Sequence, residues 1–319
     1  MTGPVAVTGA AGFVGQAVIA KLLAEGHQVR ALIHRRALPI RHALLETQSG
    51  GLHDDAALET LVAGASAVVH IAGVVRGRTS ADFNPVNVEG VARAAQAAQA
   101  AGVGRFILVS SLAAREPQLS PYAASKRAGE EALSTVLSDD TTSCVVLRPP
   151  AIYGAGDVEL LPLFRLMARG ITPMPGQKGA RASLLHVADL SGAVLALLEA
   201  DARGIYALHD GHEGGYGWDE IADIVEAVAG RGRGWRIPLP ETLLRTVAFA
   251  NLMAARVLNY QPMLTPGKVN ELRHPDWVCD NEALTQAAGW CPKLPLPEGL
   301  APLLSARKTG RNEGVTHVI

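Results

Sequence analysis

Between residues 4 and 110, short apolar runs alternate with alanine- and leucine-rich helical stretches. Val5-Ala6-Val7, Val29 to Ile33, Ala67 to Ile71 and Arg105 to Val109 read as strands, apolar on successive rather than alternate residues. Strands of that kind are covered on both faces. About Gly12 to Glu25, Asp55 to Ala63 and Pro85 to Ala101 read as helices, with a weaker segment around Leu52. Gly26 and Gly102 stop two of them, as C-cap glycines do. Strands separated by single helices need crossover connections, which give a parallel sheet with helices on both faces. The expected fold is α/β, a Rossmann-like doubly wound parallel sheet.

A further helix is expected from Pro121 to about Leu137, with Ser120 as N-cap and Pro121 at its first position. Cys144 to Arg148 reads as a buried strand ended by Pro149-Pro150. Beyond it proline and glycine become frequent and the periodicity loosens. Residues 1–150 are therefore assigned to the dinucleotide-binding domain. The stretch Leu184 to Leu208 returns to its sheet as strand, helix and strand, so 184–210 belongs with it. Residues 151–183 and 211–307 form a smaller C-terminal substrate-binding lobe, and 308–319 a polar tail.

Composition excludes several function classes. The 319 residues are 48% hydrophobic and 18% charged with a net charge of −1, too apolar and too balanced for extended disorder. A nucleic-acid binder needs a basic face. The basic segment Arg231 to Arg236 is short and isolated and reads as a loop before a strand. No run approaches the roughly 18 apolar residues of a membrane span. The N-terminus begins a strand at once, with no signal-peptide pattern. Cys144, Cys279 and Cys291 show no CxxC spacing, which points to a reducing cytoplasm and no metal site.

Chemistry enters at Thr8-Gly9-Ala10-Ala11-Gly12-Phe13-Val14-Gly15, between the first strand and the first helix. Gly9 permits the tight turn, Gly12 lets backbone approach a pyrophosphate, and Gly15 lets helix pack on sheet. The helix N-terminus then faces the negative charge. This TGxxGxxG spacing resembles the extended short-chain dehydrogenase/reductase superfamily, in its NAD(P)-dependent epimerase/dehydratase branch. His70-Ile71-Ala72-Gly73, Asn87-Val88-Glu89-Gly90, Leu147 to Gly154 and His186 to Leu190 match as well, so the resemblance covers at least residues 4 to 225. It implies cofactor contacts from Gly9, Ala11, Gly12, Phe13, Val14 and Gly15, and from Leu52 at the adenine. Ile71, Ala72 and Gly73 would line the pyrophosphate side, and Pro149 the nicotinamide. It also implies that Asn87 supports the active-site helix, and that the chain forms a homodimer through a helix pair.

Strand two ends in Ile33-His34-Arg35-Arg36 and offers no carboxylate to a ribose 2′-hydroxyl. An arginine about 4 Å from a 2′-phosphate gains on the order of 4 kcal/mol before desolvation. NADP(H) is favoured, with Arg35 the first contact and His34 or Arg36 assisting; NAD is the alternative.

Tyr122 and Lys126 share a helix face at i,i+4 spacing, and Ser110 and Ser111 end the preceding strand at the ligand-binding edge. A free tyrosine near pKa 10 is a poor base at neutral pH. Positive charge from Lys126 and the nicotinamide lowers that pKa, so that Tyr122 moves the substrate proton. Ser111, preferred to Ser110 by the family pattern, orients the substrate oxygen, and Lys126 also holds the nicotinamide ribose. His70 reads as a satisfied core histidine. His186, Asp189, Trp277 and Trp290 read as structural.

Departures from the sugar epimerases are Ala151 where they carry Asn, an arginine out of register before His186, and only 11 residues from Ser111 to Tyr122. Leu243 to Leu258 reads as a broadly apolar helix that packs on its own lobe, lines a lipophilic pocket, docks a partner or touches a membrane surface. Three functions are weighed. The first is an NADP(H)-dependent oxidoreductase acting on a small hydroxyl or carbonyl compound. The second is a sugar or nucleotide-sugar epimerase/dehydratase that retains its cofactor. The third is a non-catalytic cofactor-binding subunit resembling complex I-associated members.

Overall fold

A computed structural model describes residues 3–138, 141–258 and 260–305; the expected tail 308–319 lies outside them. The first half runs β1 (Val5–Thr8), α1 (Phe13–Ala24), β2 (Val29–Ile33), β3 (Leu45–Ser49), α2 (Asp55–Val62) and β4 (Ala67–His70). It continues with α3 (Ser80–Asn84), a π-helical turn (Pro85–Glu89), α4 (Gly90–Ala100), β5 (Arg105–Val109), α5 (Pro121–Val136) and β6 (Ser143–Arg148). Next come β7 (Ala151–Tyr153), α6 (Leu161–Met167), β8 (Ile171–Met174), β9 (Arg181–Ala182), β10 (Leu184–His186), α7 (Val187–Glu199) and β11 (Gly204–Ala207). The chain then forms β12 (Tyr216–Gly217), α8 (Trp218–Val228), β13 (Trp235–Pro238), α9 (Glu241–Leu258), α10 (Pro266–Arg273), β14 (Asp276–Trp277), α11 (Glu282–Ala288) and α12 (Leu296–Ser305).

Seven strands form one parallel sheet in the order β11-β6-β5-β4-β1-β2-β3. Chain order reverses between β1 and β4, the switch point where open α/β sheets bind ligands. Strand residues alternate between two cores. Val5, Val7, Ile107 and Val109 pack toward α1 and α7, whereas Ala6, Phe106 and Leu108 pack toward α2, α4 and α5. A third core joins Tyr153, Phe164, Tyr216, Ile221 and Leu300. Leu244, Ala248 and Val269 hold α9 to α10. Among the described residues no helix is long and apolar enough to cross a membrane.

Three expectations need correction. The weaker segment around Leu52 is a turn and not a regular element, which lies upstream. The strand is β3, Leu45-Glu-Thr-Gln-Ser, an edge strand whose exposed polar side chains hide its period. The helix expected from Pro85 starts at Ser80, where Thr79 and Asp82 form a capping box, and widens into the π-helical turn at Pro85. Leu184 to His186 pairs with β7 outside the main sheet, and only β11 joins the sheet, beside β6.

Candidate active site

At the switch point the chain leaves β1 through Gly9, whose φ is +71°. A Cβ there would lie 2.5 Å from the Ala72 nitrogen, so glycine is the residue that fits. Gly15 is equally constrained, since its Cβ would meet the Gly9 carbonyl oxygen at 2.2 Å. Gly12 occupies the N-cap of α1 without a side-chain cap. The first-turn N–H groups of Phe13, Val14 and Gly15, next to Ala11, are thereby left to an anion. Across the crevice, the Ile71 N–H donates to the Thr8 carbonyl at 3.3 Å and the Ala72 N–H to Thr8 Oγ1 at 3.4 Å. This bare, donor-rich cradle fits a dinucleotide pyrophosphate. Gly73 follows, exposed, near Asn87 and Lys126.

His34, Arg35 and Arg36 extend β2 and are exposed, and neither arginine has an ion pair among the described residues. The His34 ring lies about where a side chain on Gly51 would touch it, at 3.6 Å. Leu52 packs against Gly90 at the start of α4. Pro149 is buried, its carbonyl accepting the Leu112 N–H at 2.8 Å.

Ser120 caps α5 by accepting the Ala123 N–H at 3.0 Å. Tyr122, Lys126 and Glu130 then rise on successive turns of one face. Lys126 donates to the Val109 carbonyl at 3.1 Å. Burial pulls its pKa down to about 8, against the opposing charge of Glu130. Glu130 is itself buried, receives Ser110 Oγ at 2.5 Å, and is gripped by Arg148 Nε at 3.0 Å and Nη2 at 2.5 Å. The π-helical turn directs Asn87 inward, where its Nδ2 donates to Ser125 Oγ at 2.9 Å and to the Val74 carbonyl at 3.0 Å.

Ser111 Oγ accepts the Ala113 N–H at 3.1 Å and lies beside the Tyr122 phenol. Burial pushes that phenol above its ordinary pKa; the Ser111 hydrogen bond and Lys268 pull it back, and Glu271 adds to the rise. Lys268 thus joins the charges around Tyr122, while Lys126 donates to the Val109 carbonyl with Glu130 near. His70 departs from expectation. It is fully buried against Phe106, but neither ring nitrogen has a partner, and burial followed by Lys126 holds its pKa down to about 3.

Above Tyr122 lies a cavity of about 210 Å³ between the segment after β4, α3, α9 and α10. Val75, Phe83, Leu252 and Met263 supply apolar wall; Ser120, Tyr122, Lys268 and Glu271 supply a polar end. Cross-ties join the elements around it: Arg78 Nη1 to the Ala255 carbonyl at 3.4 Å, and Asn270 Nδ2 to the Leu119 carbonyl at 3.0 Å. The α9 helix divides its faces, with Leu244, Ala248 and Ala255 buried, Leu252 at the cavity, and Leu243, Val247, Phe249 and Val257 exposed. A larger cavity, about 480 Å³ beside Asp210, His212 and Lys293, shares no lining residue with it.

Structural roles fall to the remaining marked residues. His186 caps α7, and Asp189 accepts the Lys293 and Leu294 N–H groups at 3.1 and 2.9 Å. Trp290 is buried, and Trp277 Nε1 donates to the Glu271 carbonyl at 2.8 Å. Sequence reasoning missed Glu130, Lys268 and Glu271. Glu130 had a signal, standing four residues after Lys126 on the same face; Lys268 and Glu271 had none.

Residues 5–208 match the NAD dependent epimerase/dehydratase family. The chain is 38% identical over 315 residues to the ceramide reductase of Caulobacter vibrioides (strain NA1000 / CB15N), covering 91% of this chain and 97% of that one. It is 27% identical over 324 residues to the 2-alkyl-3-oxoalkanoate reductase of Stenotrophomonas maltophilia (strain K279a), covering 93% and 97%. Among solved structures, gox2253 superposes with a TM-score of 0.76 at 22% identity over 97% of this chain and 99% of its own, a likeness of fold. Reductases, dehydrogenases and epimerases, all enzymes, are among its relatives. By its matched residues and its relatives, the chain belongs to the NAD dependent epimerase/dehydratase family.

Proposed function

We propose that the protein is an NADP(H)-preferring oxidoreductase that interconverts a carbonyl and a hydroxyl in an amphiphilic, largely hydrocarbon substrate. The observation that carries this reading is the cavity at Tyr122, apolar at Val75, Phe83, Leu252 and Met263 and polar where the phenol stands. Such a wall suits an alkyl chain better than a sugar, whose hydroxyls would lack partners. The relatives named as reductases of ceramide and of a 2-alkyl-3-oxoalkanoate agree with it.

In this reading Gly9 to Gly15 hold the pyrophosphate, with Ile71, Ala72 and Gly73 opposite. Leu52 borders the adenine, Pro149 the nicotinamide, and His34 and Arg35 receive the 2′-phosphate. The bound nicotinamide supplies or accepts the hydride. Ser111 donates a hydrogen bond to the substrate oxygen and fixes its distance from the phenol. Tyr122 gives that oxygen its proton in reduction and takes it back in oxidation. Lys126, fixed by the Val109 carbonyl and Glu130, holds the nicotinamide ribose and stabilises tyrosinate as the proton leaves.

Fluorescence titration of the nucleotide-stripped protein with NADPH and NADH tests the cofactor assignment. NADPH should bind more tightly, and Arg35→Ala should remove about tenfold of that preference, the scale of one charge-assisted hydrogen bond. Equal or stronger NADH binding overturns it. Tyr122→Phe should keep nucleotide affinity and lower turnover of a long-chain ketone by about 10²–10⁴-fold. Near-normal turnover in that variant would remove the phenol from the mechanism.

A further inference from the structure

The polar end of the Tyr122 cavity holds more chemistry than proton transfer requires. Lys268, half-buried at the first turn of α10, lines this space with Tyr122, and its positive charge favours the ionised phenol. Its ammonium has three donors. One goes to Glu271 Oε2 at 2.9 Å, and among the described residues no other acceptor stands within reach. Glu271 is fully engaged in turn, its second oxygen accepting from Ser120 Oγ. The carboxylate therefore fixes the lysine at the cavity lining and leaves two N–H groups without an acceptor among the described residues. Arg78 also lines the space, so its charged lining, two cations and one carboxylate, is net positive.

Once a ligand fills the cavity and displaces its water, a donor left without an acceptor is costly. Tyr122 and Ser111 already account for the reacting oxygen. We propose that Lys268 is a substrate-binding residue that donates to a second oxygen of the substrate, a carboxylate or amide oxygen close to the reacting carbon, while the alkyl chain lies along Phe83, Leu252 and Met263. The inference rests on the reading of Tyr122 as the residue at the reacting oxygen. It adds a requirement that reading lacks: a plain ketone or alcohol fills the apolar wall but leaves Lys268 unsatisfied.

Calorimetric titration with three amphiphiles of one chain length tests it: 3-hydroxydecanoate, its N-methylamide and 3-decanol. The acid, the amide or both should bind at least tenfold more tightly than the plain alcohol. The two arms show whether the acceptor is charged or neutral. Lys268→Met and Lys268→Gln should bring the ratio to within about twofold of unity while leaving 3-decanol binding in place, and Lys268→Arg should restore it in part. A wild-type ratio near one, a wild-type ratio retained in both neutral variants, or no binding of any probe overturns the assignment. Turnover of the corresponding ketones, followed separately, bears on the oxidoreductase reading. A Lys268-dependent binding ratio without turnover would remove that reading and leave the subsite standing.

Discussion

Glu130 is the most buried charge behind the proposed catalytic pair, and its removal has a calculable consequence. Its side chain is 4% exposed and that of Arg148 15%. Glu130→Ala leaves the Arg148 guanidinium without its bidentate partner and Ser110 without its acceptor, in a site water reaches poorly. Breaking a buried pair from one side costs about 3–5 kcal/mol. With unfolding entropy near 2.1 cal/mol/K per residue, a chain of this size loses about 1.5 °C per kcal/mol, so the midpoint should fall by about 4–8 °C. Scanning calorimetry reads this directly. Glu130→Met with Arg148→Met removes both charges and should recover most of the loss, since apolar replacement of a buried pair is often neutral. A single variant within 1 °C of wild type, or a double variant no better than the single, would refute the claim that this pair is desolvated and mutually dependent.

Three other outcomes follow from the geometry. Gly15→Ala places a methyl 2.2 Å from the Gly9 oxygen, backbone against backbone, and should cost about 1–3 kcal/mol in urea unfolding and weaken nucleotide binding. His70 has a folded pKa of about 3 against 6.5 unfolded, so its contribution is complete above pH 6.5 and lost as the pH falls. Between pH 7 and 4.5 the wild type should lose about 2–3 kcal/mol more than His70→Leu by urea titration; parallel losses would show the ring protonating freely. Lys126 has a folded pKa of about 8, below its unfolded 10.5, so the unfolded chain binds more protons in that window and stability rises with pH. From pH 7.5 to 9.5 the wild type should gain about 2 kcal/mol relative to Lys126→Met, and an unchanged difference would contradict the buried ammonium.

The parallel sheet was legible because β1, β2, β4, β5 and β6 are apolar on both faces, a pattern local to each strand. The glycine turn was legible for a similar reason: Gly9 takes a positive φ and Gly15 must clear the Gly9 oxygen, both within eight residues of chain, although Gly9 also clears Ala72 across the crevice. β3 escaped notice because an edge strand with exposed Glu46, Thr47 and Ser49 lacks either signature. The cavity floor, Tyr122 on α5, was readable, but its roof was not. Lys268 and Glu271 reach Tyr122 and Ser120 from roughly 150 residues away, and no local period encodes a contact made by tertiary packing. The same distance hid Lys268 beside Tyr122: i,i+4 spacing shows which side chains share a helix face, not which charge a neighbouring element brings to it.

The helix that opens at the glycine turn does not stand on the first 150 residues alone. Val18, Ile19, Leu22 and Leu23 of α1 share one core with Leu190, Val194, Leu197 and Leu198 of α7. Strand β11, the edge neighbour of β6, also comes from beyond residue 200. Cutting the chain after Pro150 would bare the back of α1, at about 1.5–3 kcal/mol for each large side chain returned to water. Four such side chains approach the whole stability of an ordinary domain. The nucleotide cradle is therefore a late-maturing element: on a chain emerging from its N-terminus, it cannot be firm until α7 has been made and docked behind it.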